Sequence, residues 1–289
     1  MSHTEVTSLI RLLDDPDEHV FGQVKEKLLS MGDHVIPALE DAWESHNLGL
    51  LFQNRIEELI HDIQYRNVYE DLSTWKNRGG NNLLEAVIHV SRYHYPDLDE
   101  KAIHDFIDKV QQDTWLELNN NLTGIEKIRV LNHLFFEVHG MVGNTQDYHS
   151  PTNSYINSVV ESRRGNPISL SILYMTIAQA LNMPVYGVNL PKHFILAYMD
   201  DDPLSINLGE RRKNALFYIN PFGNGAMFGK QDIEKFLRQL NLKNQPSFFE
   251  PCTNVAIVRR VINNLVYSYQ KLKEEDKVRE LRFLSQALR

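Results

Sequence analysis

Hydrophobic positions recur every three or four residues over most of the chain, the period of helices that bury one face. Near the start, TSLIRLL and HVFGQVKEKLLSMG are separated by DDPDE and followed by HVIPALEDAWES. Asp15 is placed to cap the second helix with Pro16 at its first position, and Val20, Val24, Leu28 and Leu29 make its apolar stripe. Gly32 suits the left-handed residue that closes it. The same period runs through LLFQNRIEELIHDIQ, NVYEDLSTWK, NNLLEAVIHVSRY, the stretch from Asp99 to Asn120 and IEKIRVLNHLFFEVHG, with breaks at RGGNN and YPD. Trp43, Trp75 and Trp115 fall inside these helical stretches, so packing in or beside the core is their expected role.

Between Gly140 and Gly225 the pattern changes. Two short apolar runs, VYGV and FILAY, flank a turn at Asn189-Leu190-Pro191-Lys192, and a third, Ala215 to Ile219, ends before a turn rich in Pro, Gly and Asn. Ahead of them Asn166 is a helix cap with Pro167 at the first helical position, and Leu170, Leu173, Ile177 and Leu181 share one face. A buried helix therefore starts at Pro167. Helices return in DIEKFLRQL, AIVRRVINNLVYSYQKLKEED and KVRELRFLSQAL. The expected fold class is α+β: a mostly helical chain with a mixed core and a small antiparallel sheet, set between helical N-terminal and C-terminal segments. The expected division is 1–65, 66–245 and 246–289.

Composition narrows the chemistry. With 30 basic against 38 acidic side chains in 289 residues the net charge is −8, and the basic pairs are scattered among acids, which argues against nucleic acid as a partner. The single cysteine, Cys252, excludes an internal disulfide and a thiolate metal cluster and points to a reducing compartment. The first residues carry neither a basic n-region nor a continuous apolar stretch, and no run of about 20 apolar residues occurs, so the expectation is a soluble cytoplasmic protein with no membrane contact. Metal is not expected either. His89 and His94 lack a third ligand, His133 and His139 do not share a close helical face, and no HExxH occurs. The run Asp200-Asp201-Asp202 could attract a hard cation, but a solvated loop is the stronger expectation. With no phosphate-loop or dinucleotide glycine motif, no cofactor is expected.

The residues that could carry chemistry gather around the buried helix. Its free N–H groups and positive dipole end can stabilise a thiolate, an oxyanion or a carboxylate. His193 opens the second strand and Asn220 ends the third, the relation of base and orienting residue to a nucleophile at a helix start. Ser169 and Ser171 are the hydroxyls near that start, and Ser169 is the nearest stand-in for a nucleophile, although a hydroxyl in the first turn is equally suited to capping. Arg163 and Arg164 precede the helix; with Asn166 they are candidates for holding a carboxylate of a ligand or partner, against the plainer reading of salt bridges within the chain.

Several ordered pieces, IRVLN with LFF at 128–136, Gly143-Asn144, NSYIN at 153–157, RRGNPIS at 163–169, VNLPKHF at 188–194 and YINPFG at 218–223, resemble the transglutaminase-like core superfamily, a papain-like arrangement. They are most similar to a bacterial branch whose core carries a tetratricopeptide-type tail, which the C-terminal helix pair resembles; the N-terminal helices resemble a HEAT repeat. The resemblance implies a cysteine at the helix start, a base at His193 and an orienting residue at Asn220. In this chain the cysteine position falls on Pro167 or Ile168, neither of them a nucleophile, and Cys252 lies far downstream. The resulting expectation is a noncatalytic protein- or peptide-binding module on a degenerate core. The alternative is an amide or peptide-bond hydrolase or transferase using His193, Asn220 and an unconventional nucleophile.

Overall fold

The structure is a computed structural model that describes residues 3–44, 49–199 and 214–289; the acidic run at 200–202 lies outside the described residues. The chain divides into two compact units, 1–71 and 72–289.

The first unit holds α1 (His3–Arg11), α2 (Glu18–Leu29), α3 (Ile36–Glu44) and most of α4 (Leu50–Asn77). Their apolar stripes meet in one core that includes Leu13, Leu28, Val35, Leu39, Ile56 and Leu59. Two stretches that read as separate helices, LLFQNRIEELIHDIQ and NVYEDLSTWK, form a single helix of 28 residues. The cap of α2 also differs from expectation. Asp17, not Asp15, accepts the His19 N–H (2.8 Å), while Asp15 spends its carboxylate on the Asp17 N–H (2.9 Å), leaving Pro16 in the turn. Arg55 holds that turn in place: 5 % exposed, it donates to the Leu13 and Asp15 carbonyls (2.8 and 2.7 Å) and to Glu18 (2.7 Å). Gly32 takes the expected left-handed conformation, φ +63°.

In the second unit α5 (Leu83–Arg92), α6 (Glu100–Glu117), α7 (Gly124–Asn132) and α8 (Ile156–Ser162) surround α9 (Pro167–Ala180). Asn82, Asp99 and Thr123 cap α5, α6 and α7 with their side chains. Helix α9 is buried without interruption from Pro167 to Met175, so its apolar surface runs all the way round, wider than the single stripe read from the sequence. It packs on an antiparallel sheet in sequential order, β3 (Val185–Val188), β4 (Ile195–Met199), β5 (Ala215–Asn220) and β6 (Ala226–Phe228). The pairing sets Val188 against Ile195, Leu196 against Ile219 and Asn220 against Ala226. Two short strands, β1 (Val142–Gly143) and β2 (Arg164–Gly165), pair in parallel beside the start of α9. Helix α7 continues into a wide π-helical segment, His133–Val138.

Helix α10 (Lys230–Gln239) covers one face of the sheet, placing Ile233 and Leu237 against Val188, Ile195 and Ala197. The pair α11 (Asn254–Leu272) and α12 (Glu275–Leu284) completes the unit. Of the three tryptophans only Trp75 is core, at 2 % exposure; Trp43 and Trp115 are 42 % and 66 % exposed. The buried stripe of α6 runs Ile103, Phe106, Ile107, Val110, Thr114, and Trp115 stands one residue, hence about 100°, off it. No described helix is long and apolar enough to cross a membrane.

Candidate functional site

The start of α9 is fixed by a closed set of hydrogen bonds. The Asn166 side-chain oxygen accepts the N–H groups of Ile168 and Ser169 (3.1 and 3.0 Å), and the Ser169 hydroxyl returns the favour by accepting the Asn166 N–H (3.0 Å). The Asn166 amide then donates to the Ser154 hydroxyl (2.8 Å). Ser171 donates to the Pro167 carbonyl one turn back (2.6 Å). Both serines are thus engaged with local backbone, and Ser169 is 1 % exposed. Pro167 and Ile168, at the position where the sequence resemblance expects a thiol, are buried.

The parallel pair β1–β2 ties this helix start to the end of β5. Gly143 and Gly165 are partners in its ladder. A Cβ on Gly143 would stand 2.8 Å from the Phe222 ring, and one on Gly165 would stand 2.6 Å from the Ser169 hydroxyl. Phe222 follows Asn220 and Pro221, so Gly143 lets the turn after β5 approach closely, while Gly165 leaves room for Ser169 and Leu170 of the helix start. Behind the turn, Asn132 donates to the Gly225 carbonyl (2.9 Å) and accepts from the buried Tyr174 hydroxyl (2.7 Å).

His193 stands two residues before the start of β4, and the ladder places the start of β4 at the same end of the sheet as Asn220. Among the described residues no hydrogen bond joins the two side chains. The imidazole instead meets the Phe236 ring edge to face, with centroids 4.9 Å apart. Burial and then the charge of Arg260 hold its pKa below the ordinary 6.5, so it is a poor resident cation. Arg260 comes from α11, and nothing in its local sequence announced it. Its guanidinium reaches across to the turn before His193, donating to the Asn189 side chain and to the Leu190 carbonyl (2.9 Å). Cys252 lies nearby: its N–H donates to the Gly187 carbonyl of β3 (2.8 Å), folding the 252 segment back onto the sheet. Burial pushes its thiol up to about 11, against the opposing pull of Arg260, so it is not a thiolate near neutral pH.

Arg163 caps α8 in a left-handed conformation, φ 59°, and its guanidinium lies 4.0 Å over the Phe106 ring. One of its nitrogens is buried with no hydrogen-bond partner among the described residues, and burial lowers its pKa. Among the described residues Arg163 and Arg164 form no salt bridge, which departs from the plainer reading of these side chains. Arg164 is exposed on β2. Among the described residues no group of three His, Cys, Asp or Glu side chains could hold a metal ion.

A helix start, a histidine turn and an asparagine-ended strand thus lie at one end of an antiparallel sheet. The family profile described as the transglutaminase-like superfamily matches residues 101–263. A UPF0162 protein of Xylella fastidiosa (strain 9a5c) is 25 % identical over 201 residues, 68 % of this chain and 67 % of that protein. A UPF0162 protein of Haemophilus influenzae is 30 % identical over 152 residues, 50 % of this chain and 55 % of that one. F-box only protein 21 of Homo sapiens is 31 % identical over 155 residues, which is 50 % of this chain but only 23 % of the human protein. No solved structure matches. The profile spans more than half of the chain and takes in β1 to β6, α9 and the Arg260 segment, so this protein belongs to the transglutaminase-like superfamily.

Proposed function

We propose that this chain is a noncatalytic protein- or peptide-binding module, built on a transglutaminase-like core that lacks its nucleophile. The observation that carries the reading is the start of α9. Where the resemblance calls for a cysteine the chain has buried Pro167 and Ile168, and the neighbouring hydroxyls of Ser169 and Ser171 are engaged with backbone groups. A serine bonded in this way would have to break its cap before it could attack a carbonyl. The pairing of His193 with an aromatic ring and with a nearby positive charge further supports a binding surface over a base. In this reading Arg163, Arg164 and Asn166 flank the binding face, the 1–65 segment acts as a HEAT-like helical platform, 66–245 is the core and 246–289 a tetratricopeptide-like hairpin, all in a cytoplasmic protein.

The test has two arms. Purified chain is incubated with a casein-derived peptide mixture and a primary amine, and with a fluorophosphonate probe; the expected result is no hydrolysis or amine incorporation and no labelling of Ser169. The same chain and its His193→Ala and Arg163→Ala variants, checked for folding by circular dichroism, are used as bait. Loss of one shared partner in both variants supports the module. Turnover that disappears with His193→Ala and Ser169→Ala establishes the hydrolase or transferase alternative instead.

A further inference from the structure

A second polar surface lies beside the His193 turn. Asn189 and Lys192 from that turn face Arg259, Arg260, Asn263 and Asn264 from α11 across a groove of about 430 Å³. The chain as a whole is acidic, at −8, yet this groove carries three cations and no acid. Among the described residues none of the three forms a salt bridge. Among the described residues Arg260 donates hydrogen bonds only to the Asn189 side chain and the Leu190 carbonyl, and Arg259 to the Leu288 carbonyl (2.6 Å). Arg260 is also partly buried, and its pKa is lowered for that reason. A half-desolvated guanidinium that no described carboxylate neutralises is costly, and an anion from outside would relieve that cost.

The other groups in the groove narrow the class of anion. Phosphate is an acceptor on every face at neutral pH, so it would use only the N–H side of Asn263 and Asn264 and leave their amide oxygens without a partner from the ligand. A peptide matches them better, because its backbone presents N–H and C=O groups to amides while its carboxylates pair with arginine. From Ala256 to Asn264 the helix rises about 12 Å, the reach of about four extended residues. We propose that the groove between the 189–192 turn and α11 binds a short extended acidic segment of a partner protein, with Lys192 and Arg259 pairing with its carboxylates and Arg260 supplying the fixed positive field. This rests on the binding reading above and names the chemistry of the partner.

The experiment is fluorescence anisotropy of the full chain with a fluorescein-labelled octapeptide of alternating Asp, Glu and Ser, and with the same peptide carrying Lys at every acidic position. The expected result is saturable binding of the acidic peptide alone, weakened about tenfold by Lys192→Glu or Arg259→Glu, both at surface positions, and weakened by salt. Unaltered melting temperatures show that the variants fold. No saturable binding, affinity unchanged from the parent in both variants, or displacement by millimolar inorganic phosphate overturns the proposal. Its failure is distinguishable from failure of the module reading. A bait partner retained without acidic-peptide binding sinks only the groove, whereas His193-dependent turnover sinks the module.

Discussion

At the scale of single residues, burial and then the charge of Arg260 set how the histidine beside the core behaves. Since burial and Arg260 both hold His193 below its ordinary 6.5, Arg260→Gln should raise the His193 pKa, read by the pH dependence of its ring proton resonances. An unchanged titration would mean that the charge of Arg260 is screened from the ring. Cys252 gives a second test. With its thiol pushed up to about 11, iodoacetamide should alkylate the folded protein far more slowly near neutral pH than the urea-unfolded chain, and the rate should climb as the pH approaches that value. Neither environment was readable from local sequence, because His193, Arg260 and Cys252 are brought together only when α11 and the segment before it fold back on the sheet. His193 and Asn220 were readable as strand-end polar groups; the aromatic neighbour of His193 was not, because Phe236 belongs to α10.

At the scale of elements, the cap of α9 is the most consequential local structure. Asn166→Ala removes two accepted backbone hydrogen bonds and strands the buried Ser154 hydroxyl, and should cost about 2 kcal/mol in urea denaturation, at the upper end for a helix cap. Gly165→Ala drives a methyl group to within 2.6 Å of the Ser169 hydroxyl and should cost about 1–3 kcal/mol. If both variants melt like the parent, the cap does not hold the helix start. Helices α5, α6, α7 and α9 were legible because their caps and apolar spacing agree. Strands β1 and β2 were not. A ladder of two residues has no alternation to read, and its two glycines are packed against Phe222 and against Ser169 and Leu170, contacts that local sequence does not announce. The wide turn at His133–Val138 was equally invisible, since a π-helical segment keeps nearly the same apolar spacing as the helix it interrupts. The same limit misplaced the cap of α2, where the competition among Asp15, Pro16 and Asp17 is settled by Arg55, far along the chain.

At the scale of the whole molecule, stability should fall on acidification in two stages. His193 and His94 have folded pKa values below the ordinary 6.5, so the unfolded chain takes up protons first as the pH drops through that value and the folded state loses ground. Asp113 and Glu126 are held below their ordinary 3.8 and 4.5, the first mainly by Lys109 and the second mainly by the Thr123 N–H; what they contribute is present above those values and is lost as the pH falls through their lower folded ones. Denaturant midpoints measured at about pH 7.5, 5.5 and 3.5 should therefore decline in that order, and a midpoint that holds steady from about 7.5 to 5.5 would remove the histidine stage. The C-terminal hairpin has a consequence of a different kind. Asn254 bonds to the Gly80 and Asn81 carbonyls, Tyr269 to the Tyr155 hydroxyl, Arg260 to the 189–190 turn, and Glu280 accepts from Tyr93. Each of these contacts joins a late segment to one made much earlier. A ribosome builds the chain from its N-terminus, so the early segments of the second unit must wait, with Tyr155 and the β3 edge uncovered, until α11 and α12 emerge. Folding of this unit is thereby tied to the synthesis of α11 and α12, and the interval before α11 arrives leaves the earlier segments exposed to aggregation.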